Sequence, residues 1–343
     1  MGGRDDREAA HNSSRSRSLG LGRAHALDFR DTLRKFSRAT IHPNPATTAM
    51  QYQDWPAPAG SEGLIRCLWT LRGGLDSPPG TRDAGSDHAA AEEATAEEAE
   101  PALPDGCPEL LLNFGEAWCR VERDGQHRRQ PAAFLVGQIT GPFVVYPTGR
   151  VDLLAIRFEP HGAAALLDNM AAITDNWASL ADLPAARDLL LALPVASASQ
   201  TEASGAASAT VAARLDAVAT WARHFAAGTG HADVSVAAVV RQIVESRGAA
   251  SIDAVAESQG VQLRTLQRRF LRQVGVSPKR LARIVRFHHV CLAWRRDPAS
   301  LARVAADCGY CDESHLVRDF RAFVGEPPAS FLRSLSTFTS HFL

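Results

Sequence analysis

Lysine is nearly absent from this chain: Lys35 and Lys279 stand alone among positive residues that are otherwise all arginine. Abundant arginine beside abundant alanine is what a GC-rich genome encodes, so only the placement of the arginines carries information. No apolar run approaches the ~20 residues that a membrane-spanning helix requires, which argues against a membrane partner. No segment joins a basic start, an apolar middle and a small-residue cleavage site, so the expected location is the cytoplasm. Six cysteines in 343 residues are too few for a disulfide scaffold and suit a reducing compartment. Neither a G-x-S-x-G elbow, a phosphate loop nor a dinucleotide fingerprint occurs, so no enzyme activity and no cofactor is expected.

What is present is unevenly distributed. The formal net charge of −1 conceals a division. Residues 234–343 carry 16 Lys+Arg against 9 Asp+Glu, a net of +7, leaving 21 against 29 elsewhere, a net of −8. A basic domain joined to an acidic remainder fits a nucleic-acid reader attached to something else.

The basic part is written twice. Ser251, Ile252, Val255, Ala256 and Gly260 recur as Ser300, Leu301, Val304, Ala305 and Gly309. One residue is then inserted, and Leu266, Arg268, Phe270, Gly275 and Pro278 recur as Leu316, Arg318, Phe320, Gly325 and Pro328. A repeat of this length is one supersecondary unit per copy. In the first copy Ser251 is an N-cap and Ile252, Val255 and Ala256 form a short buried face. Gly260 closes that helix, and a second helix over about 263–274 buries Leu266, Phe270 and Leu271. Arg264, Gln267, Arg268 and Arg272 then lie on its open face. This is a helix-turn-helix with base-reading residue types on its second helix. A helical repeat that binds only protein would leave the arginines and the turn glycines unexplained.

Residues Thr265–Phe270 (TLQRRF), Gly275–Pro278 (GVSP), Leu301–Tyr310 (LARVAADCGY), Ser314–Phe320 (SHLVRDF), Gly325 and Pro327-Pro328 resemble the DNA-binding domain of the AraC/XylS family of bacterial transcription regulators. The resemblance implies two helix-turn-helix units on one linking helix, entering successive major grooves of double-stranded DNA. It assigns DNA contacts to Arg264, Gln267 and Arg268 in the first unit, and to Glu313, Ser314, Val317 and Arg318 in the second. Arg269 and Arg272 are expected to meet phosphates. Asp312, Glu313 and Asp319 flank the second helix and repel phosphate, so the first helix is expected to supply most of the affinity. A small-molecule effector, RNA polymerase and a second subunit are the further partners the resemblance leaves open.

The remaining chain divides as follows. Residues 1–48 are polar and aperiodic and read as a disordered extension; Met50 begins the folded pattern, which leaves open an upstream misassigned start codon or an added DNA-binding arm. Residues 49–193 contain strand-like runs at 64–71, 109–114, 118–121, 133–137, 143–146 and 151–158, separated by Gly/Pro turns, with helical segments near 163–167 and 185–191. An acidic, disordered insertion is expected at 80–101 and a flexible linker at 194–210. A helix at 211–229 follows, whose stripe of Val211, Leu215, Val218, Ala222 and Phe225 serves either its own domain or a dimer. The DNA-binding domain is expected at 234–343, with its units at 251–274 and 300–324 and the linking helix at 279–296. Its first helix turns Val236, Val239, Val240, Ile243 and Val244 inward. The linking helix turns Leu281, Ile284, Val285, His288, Leu292 and Trp294 inward.

The runs at 103–110 (LPDGCPEL), 135–137 and 156–163 (IRFEPHGA) resemble the sensor half of one branch of the same family, which implies a cupin-like barrel or sandwich. The fold class is therefore α+β multidomain, a β-rich domain followed by an all-α one. His127 and His161 stand alone and His88 falls in the acidic insertion, so no metal is expected. Cys308 and Cys311 have metal-pair spacing, but no second pair completes a site, and both read as core or turn residues. A DNA-repair methyltransferase sharing the same DNA-binding unit is the alternative from another class. It needs an acceptor-thiol motif that Cys67, Cys107 and Cys119 do not form. In a third reading the N-terminal half is only a dimer or partner module.

Overall fold

The computed structural model describes residues 47–75, 100–122, 125–193, 204–229, 233–296 and 300–334. Expectations for residues 1–46, for the insertion up to residue 99 and for the connector up to residue 203 lie outside the described residues.

The first part is β-rich. Its strands are β1 (Thr47–Pro56), β2 (Ile65–Leu75), β3 (Glu100–Ala102), β4 (Glu109–Asn113), β5 (Trp118–Val121), β6 (His127–Arg129), β7 (Ala133–Val136), β8 (Phe143–Pro147), β9 (Val151–Phe158) and β10 (Trp177–Ser179). They form a six-stranded sheet, order β1-β2-β9-β4-β7-β10, and a four-stranded sheet, order β3-β8-β5-β6; the pairings are antiparallel.

Strand parity sorts the residues into two layers. Trp69, Leu71, Leu153 and Ala155 on one face of the large sheet meet Trp118 and Val145 of the small one. Leu68, Leu110, Leu112, Leu154, Ile156 and Phe158 point the opposite way and form the largest core. Central β9 is thus covered on both sides, which is why it reads as a nearly continuous apolar run.

Nine helices follow among the described residues: α1 (Arg187–Ala192), α2 (Ser204–Gly228), α3 (Val234–Glu245), α4 (Ile252–Ser258), α5 (Leu263–Val274), α6 (Pro278–Arg296), α7 (Leu301–Asp307), α8 (Glu313–Val324) and α9 (Pro328–Ser334). Helix α2 closes the large sheet. Leu215, Val218, Trp221, Ala222 and Phe225 join the core beneath β9, and Phe225 meets the Phe158 ring edge-on. Buried Arg214 clasps buried Asp152 with two 3.0 Å hydrogen bonds while lying over the Phe114 ring. The expected apolar stripe of this helix is therefore spent on its own domain.

The helical part has two cores strung on α6. Leu281 and Ala282 belong to the first, with Val236, Val239, Ile243, Leu266, Phe270 and Val274. Ile284, Phe287, Val290 and Cys291 belong to the second, with Val304, Leu316, Phe320 and Phe323. Leu103, from the turn before β4, enters this second core.

Several expectations are corrected. Residues 163–166 form turns; the helical pieces here are 3-10 turns at Met170–Ile173, Leu180–Asp182 and Pro184–Ala186, and α1. Strand β1 lacks clean alternation and carries a pairing irregularity between Thr48 and Gln51, which hid it. Strands β3, β6 and β10 have three residues each, too few to show a period. Glu100 and Pro101, expected in the disordered insertion, pair with β8, and α2 begins at Ser204, inside the expected linker. On α6 Leu281 and Ile284 are buried as expected and Phe287, Val290 and Cys291 join them, whereas Val285, His288, Leu292 and Trp294 are half-buried. A helix that serves two cores in succession does not keep one stripe. Val244 is exposed, and Ala238 is buried instead.

Candidate nucleic-acid interface

Each repeat copy builds the same corner. Ser251 Oγ accepts from the Ala254 N–H at 3.4 Å and Ser300 Oγ from the Arg303 N–H at 3.3 Å, capping the two short helices. Gly260 and Gly309 then adopt φ of +62° and +75°, the left-handed conformation that turns the chain into the second helix. Leu266 and Phe270 in α5, and Leu316 and Phe320 in α8, are fully buried and fix the rotation of those helices. Gly275 and Gly325 end them, at φ of +91° and +82°.

That rotation decides what faces outward. On α5, Arg264, Gln267, Arg268, Arg269 and Arg272 are all exposed. Leu271, expected in the core, is 45% exposed and shares the face of Arg264, Gln267 and Arg268 at i, i+3, i+4 and i+7. Val274 takes the inward position instead. Arg269 leans away from this face and lies 3.5 Å from Asp233, the N-cap of α3. The Arg272 Nε donates to the Asp168 carbonyl at 2.8 Å.

On α8, Glu313, Ser314 and Arg318 are exposed and Val317 is half-buried. The Arg318 Nε donates back to the Ser314 carbonyl at 3.3 Å. Arg321 continues this face and is exposed; sequence reasoning passed over it, although its spacing from Ser314 and Arg318 was sufficient to find it. Asp312 is not a free acid, because its carboxylate caps α8 by accepting from the His315 N–H at 2.7 Å.

Asp319 is the larger correction. Expected to repel phosphate from the surface, it is buried and accepts from Arg283 of α6 at 2.7 and 3.0 Å. Its charge is neutralised inside the domain. The acidic drag on the second unit is therefore smaller than the sequence suggests, with Glu313 the acid left on the face.

The β-rich domain holds a second polar site, between its sheets. Trp69 Nε1 donates to Glu109 Oε1 at 3.0 Å, and Arg157 bridges Glu109 (2.6 Å) and Asp105 (3.1 Å). Tyr52 packs on Trp69 with ring centroids 6.0 Å apart, and burial pushes its hydroxyl up to about 12. Burial also pushes the Glu109 carboxyl up, against the pull of Arg157. The Trp118 Nε1 is buried with no partner among the described residues.

Burial likewise holds the Cys107 thiol well above the ordinary thiol range, the opposite of what a nucleophilic acceptor thiolate needs. His161 is buried, not a surface residue, and burial lowers its pKa. His127 Nδ1 lies 2.6 Å from the Tyr146 hydroxyl. Cys308 is buried and Cys311 is exposed in the longer turn of the second unit. Among the described residues, no group of three or more His, Cys, Asp or Glu is placed to hold a metal, and no helix is long and apolar enough to cross a membrane.

Comparison with known proteins gives two family matches. Residues 255–334 match a helix-turn-helix domain and residues 62–178 match a domain of unknown function, DUF6597. The HTH-type transcriptional activator RhaS of Escherichia coli O139:H28 (strain E24377A / ETEC) is 38% identical over 69 residues. That stretch is 20% of this chain, which spans only a quarter (25%) of the length of that curated relative. Among solved structures, ToxT from Vibrio cholerae (P21 form) aligns over 70% of this chain and 99% of its own, at 7% identity and a TM-score of 0.38. Wild-type ToxT from Vibrio cholerae strain SCE256, bound to unsaturated fatty acid, aligns over 86% of this chain and 98% of its own, at 10% identity and a TM-score of 0.37. With twin helix-turn-helix units on one linking helix, carrying the motifs quoted above, the C-terminal part of this chain belongs to the AraC-type family of DNA-binding domains.

Proposed function

We propose that the whole chain is a sequence-specific transcription regulator that reads two successive major-groove segments of double-stranded DNA. The observation that carries this is the pair of outward faces, exposed Arg264, Gln267 and Arg268 on α5 and exposed Ser314 and Arg318 with half-buried Val317 on α8, each set outward by a buried Leu and Phe. Arg pairs with guanine and Gln with adenine through two hydrogen bonds, and Val suits a thymine methyl. Arg269, and Arg272 once it is free of the Asp168 carbonyl, position the first unit on phosphate rather than reading bases. The first helix, free of acids on its face, supplies the greater affinity.

Control by a small-molecule effector in the β-rich domain is part of this reading. The Glu109–Arg157 pair, set among Trp69, Tyr52 and Trp118 between the sheets, is the combination of aromatic wall and few polar groups that small-ligand sites use. RNA polymerase is a further partner of the regulator. A second subunit would have to use a surface other than the stripe of α2, which is covered.

Selection of DNA sequences by the full chain, at stated salt, beside Arg268→Ala and Arg318→Ala tests the reading. The expected result is an asymmetric motif of two blocks about one helical turn apart, each variant losing preference in its own block. Weak binding that is equal across sequences would overturn it. Ligand-dependent thermal stabilisation of the same chain tests effector control.

A further inference from the structure

The β-rich domain grips the corner where α5 passes into α6. Thr174 Oγ1 donates to the Gly275 carbonyl at 2.6 Å, Arg272 Nε donates to the Asp168 carbonyl at 2.8 Å, and an Arg280 guanidinium N–H donates to the Thr140 carbonyl. Glycine is favoured at 275 on two counts. Its φ is +91°, and a Cβ there would lie 3.1 Å from the Met170 carbonyl oxygen and 3.2 Å from Thr174 Oγ1. One turn further on, a Cβ at Gly106 would lie 3.0 Å from Leu281 Cδ1, and Leu103 is seated in the second helical core.

The gripping segment is itself anchored in the β-rich domain. Asp175 sits at φ +55°, one of two non-glycine residues at positive φ among the described residues. Its carboxylate accepts from the Thr140 N–H at 2.6 Å and the Thr140 hydroxyl at 2.7 Å, at the residue whose carbonyl takes Arg280. Its own carbonyl accepts from Arg120 Nη1 at 2.8 Å, and the Arg120 guanidinium lies 4.1 Å from the centroid of the Phe143 ring on β8. The clamp is thus tied through Arg120 and Asp175 to the smaller sheet.

The clamp leaves both recognition faces exposed, so its effect falls on Arg272 alone among the expected DNA contacts. At the equivalent place the second unit has Ala322, which offers phosphate no charge. We propose that this clamp sets the strength of DNA binding. Docked, Arg272 is held on the Asp168 carbonyl and adds little to phosphate binding. Released, it swings to the backbone and becomes a full phosphate contact. The inference rests on the DNA-binding reading above and adds to it the residue through which the β-rich domain acts.

The test is a double-mutant cycle in the full chain, on the selected DNA site, across a series of salt concentrations. Thr174→Val removes the donor to Gly275, and Thr174→Glu puts a carboxylate against that carbonyl. Each is combined with Arg272→Ala, and release is read separately as faster amide hydrogen exchange over residues 272–281. In the unaltered chain, Arg272→Ala should weaken binding by less than about twofold, with no change in salt slope. With the clamp released, the same substitution should cost about tenfold and lower the slope of log K against log salt by about 0.9.

Equal costs in both backgrounds would overturn the proposal. So would unchanged exchange in both Thr174 variants, since the clamp would then not depend on that bond. Arg268→Ala keeps the two readings apart. If it too is silent, DNA reading itself fails; if it costs affinity while Arg272 behaves alike in both backgrounds, the clamp fails alone.

Discussion

The two helix-turn-helix units share a frame and differ in what it carries. Caps, turn glycines and the buried Leu–Phe pair occupy equivalent positions, and with them the same outward rotation of α5 and α8. Position 269 of the first unit corresponds to 319 of the second, and the two hold opposite charges. Arg269 reaches Asp233 on α3, the helix before its unit; Asp319 reaches Arg283 on α6, the helix before its own. Each recognition helix is thus tied to the helix before its unit by an ion pair of inverted polarity. The two copies differ in faces and ties while sharing the geometry that aims them.

The strongest way to break the comparison is to attack the shared frame. Phe270→Ala and Phe320→Ala each empty a fully buried ring site and should destabilise the chain by about 3–5 kcal/mol, measured by chemical denaturation. Near-equal losses are expected, and a difference of several kcal/mol would mean that the two cores are not equivalent.

The inverted ion pairs should respond unequally. Asp319 is buried, so Asp319→Ala strips Arg283 of its partner and should cost about 2–3 kcal/mol. Arg269 is nearly half exposed, and Arg269→Ala should cost less than about 1 kcal/mol in the same assay.

The outer ends of the two faces differ next. Leu271 and Arg321 are equivalent and both exposed, one apolar and one charged. Arg321→Ala should lower the salt slope of DNA binding by about 0.9, whereas Leu271→Ala should leave it unchanged. Equal slopes would remove Arg321 from the phosphate contacts.

The smallest effect sharpens the contrast between the β-rich domain and the helical units. Burial lowers the pKa of His161, so the folded protein binds fewer protons than the unfolded chain between that lowered pKa and the ordinary 6.5. The stability linked to this group is complete above pH 6.5 and is lost as pH falls below it. His161→Gln should flatten the Tm against pH curve as pH falls below about 6.5. A curve of unchanged slope would mean that His161 is solvated in the folded state.

The amino-acid sequence by itself determined the helical half and its division into two units. Caps, turn glycines and apolar spacing are local signals, and the repeat states each of them twice, so both units could be placed from order alone, while Arg264, Gln267, Arg268, Glu313, Ser314, Val317 and Arg318 were singled out by resemblance to the family motif. Six strands were legible for the same reason, since each alternates or runs apolar long enough to declare a period. What no local pattern contains is pairing between distant residues, and only the tertiary structure decided those cases. It buried Asp319 against Arg283, exposed Leu271, spent the stripe of α2 on its own sheet, and paired three-residue strands by their neighbours. It also brought Thr174 to Gly275, 101 positions further along the chain, where a hydroxyl and a carbonyl meet only because both domains have folded.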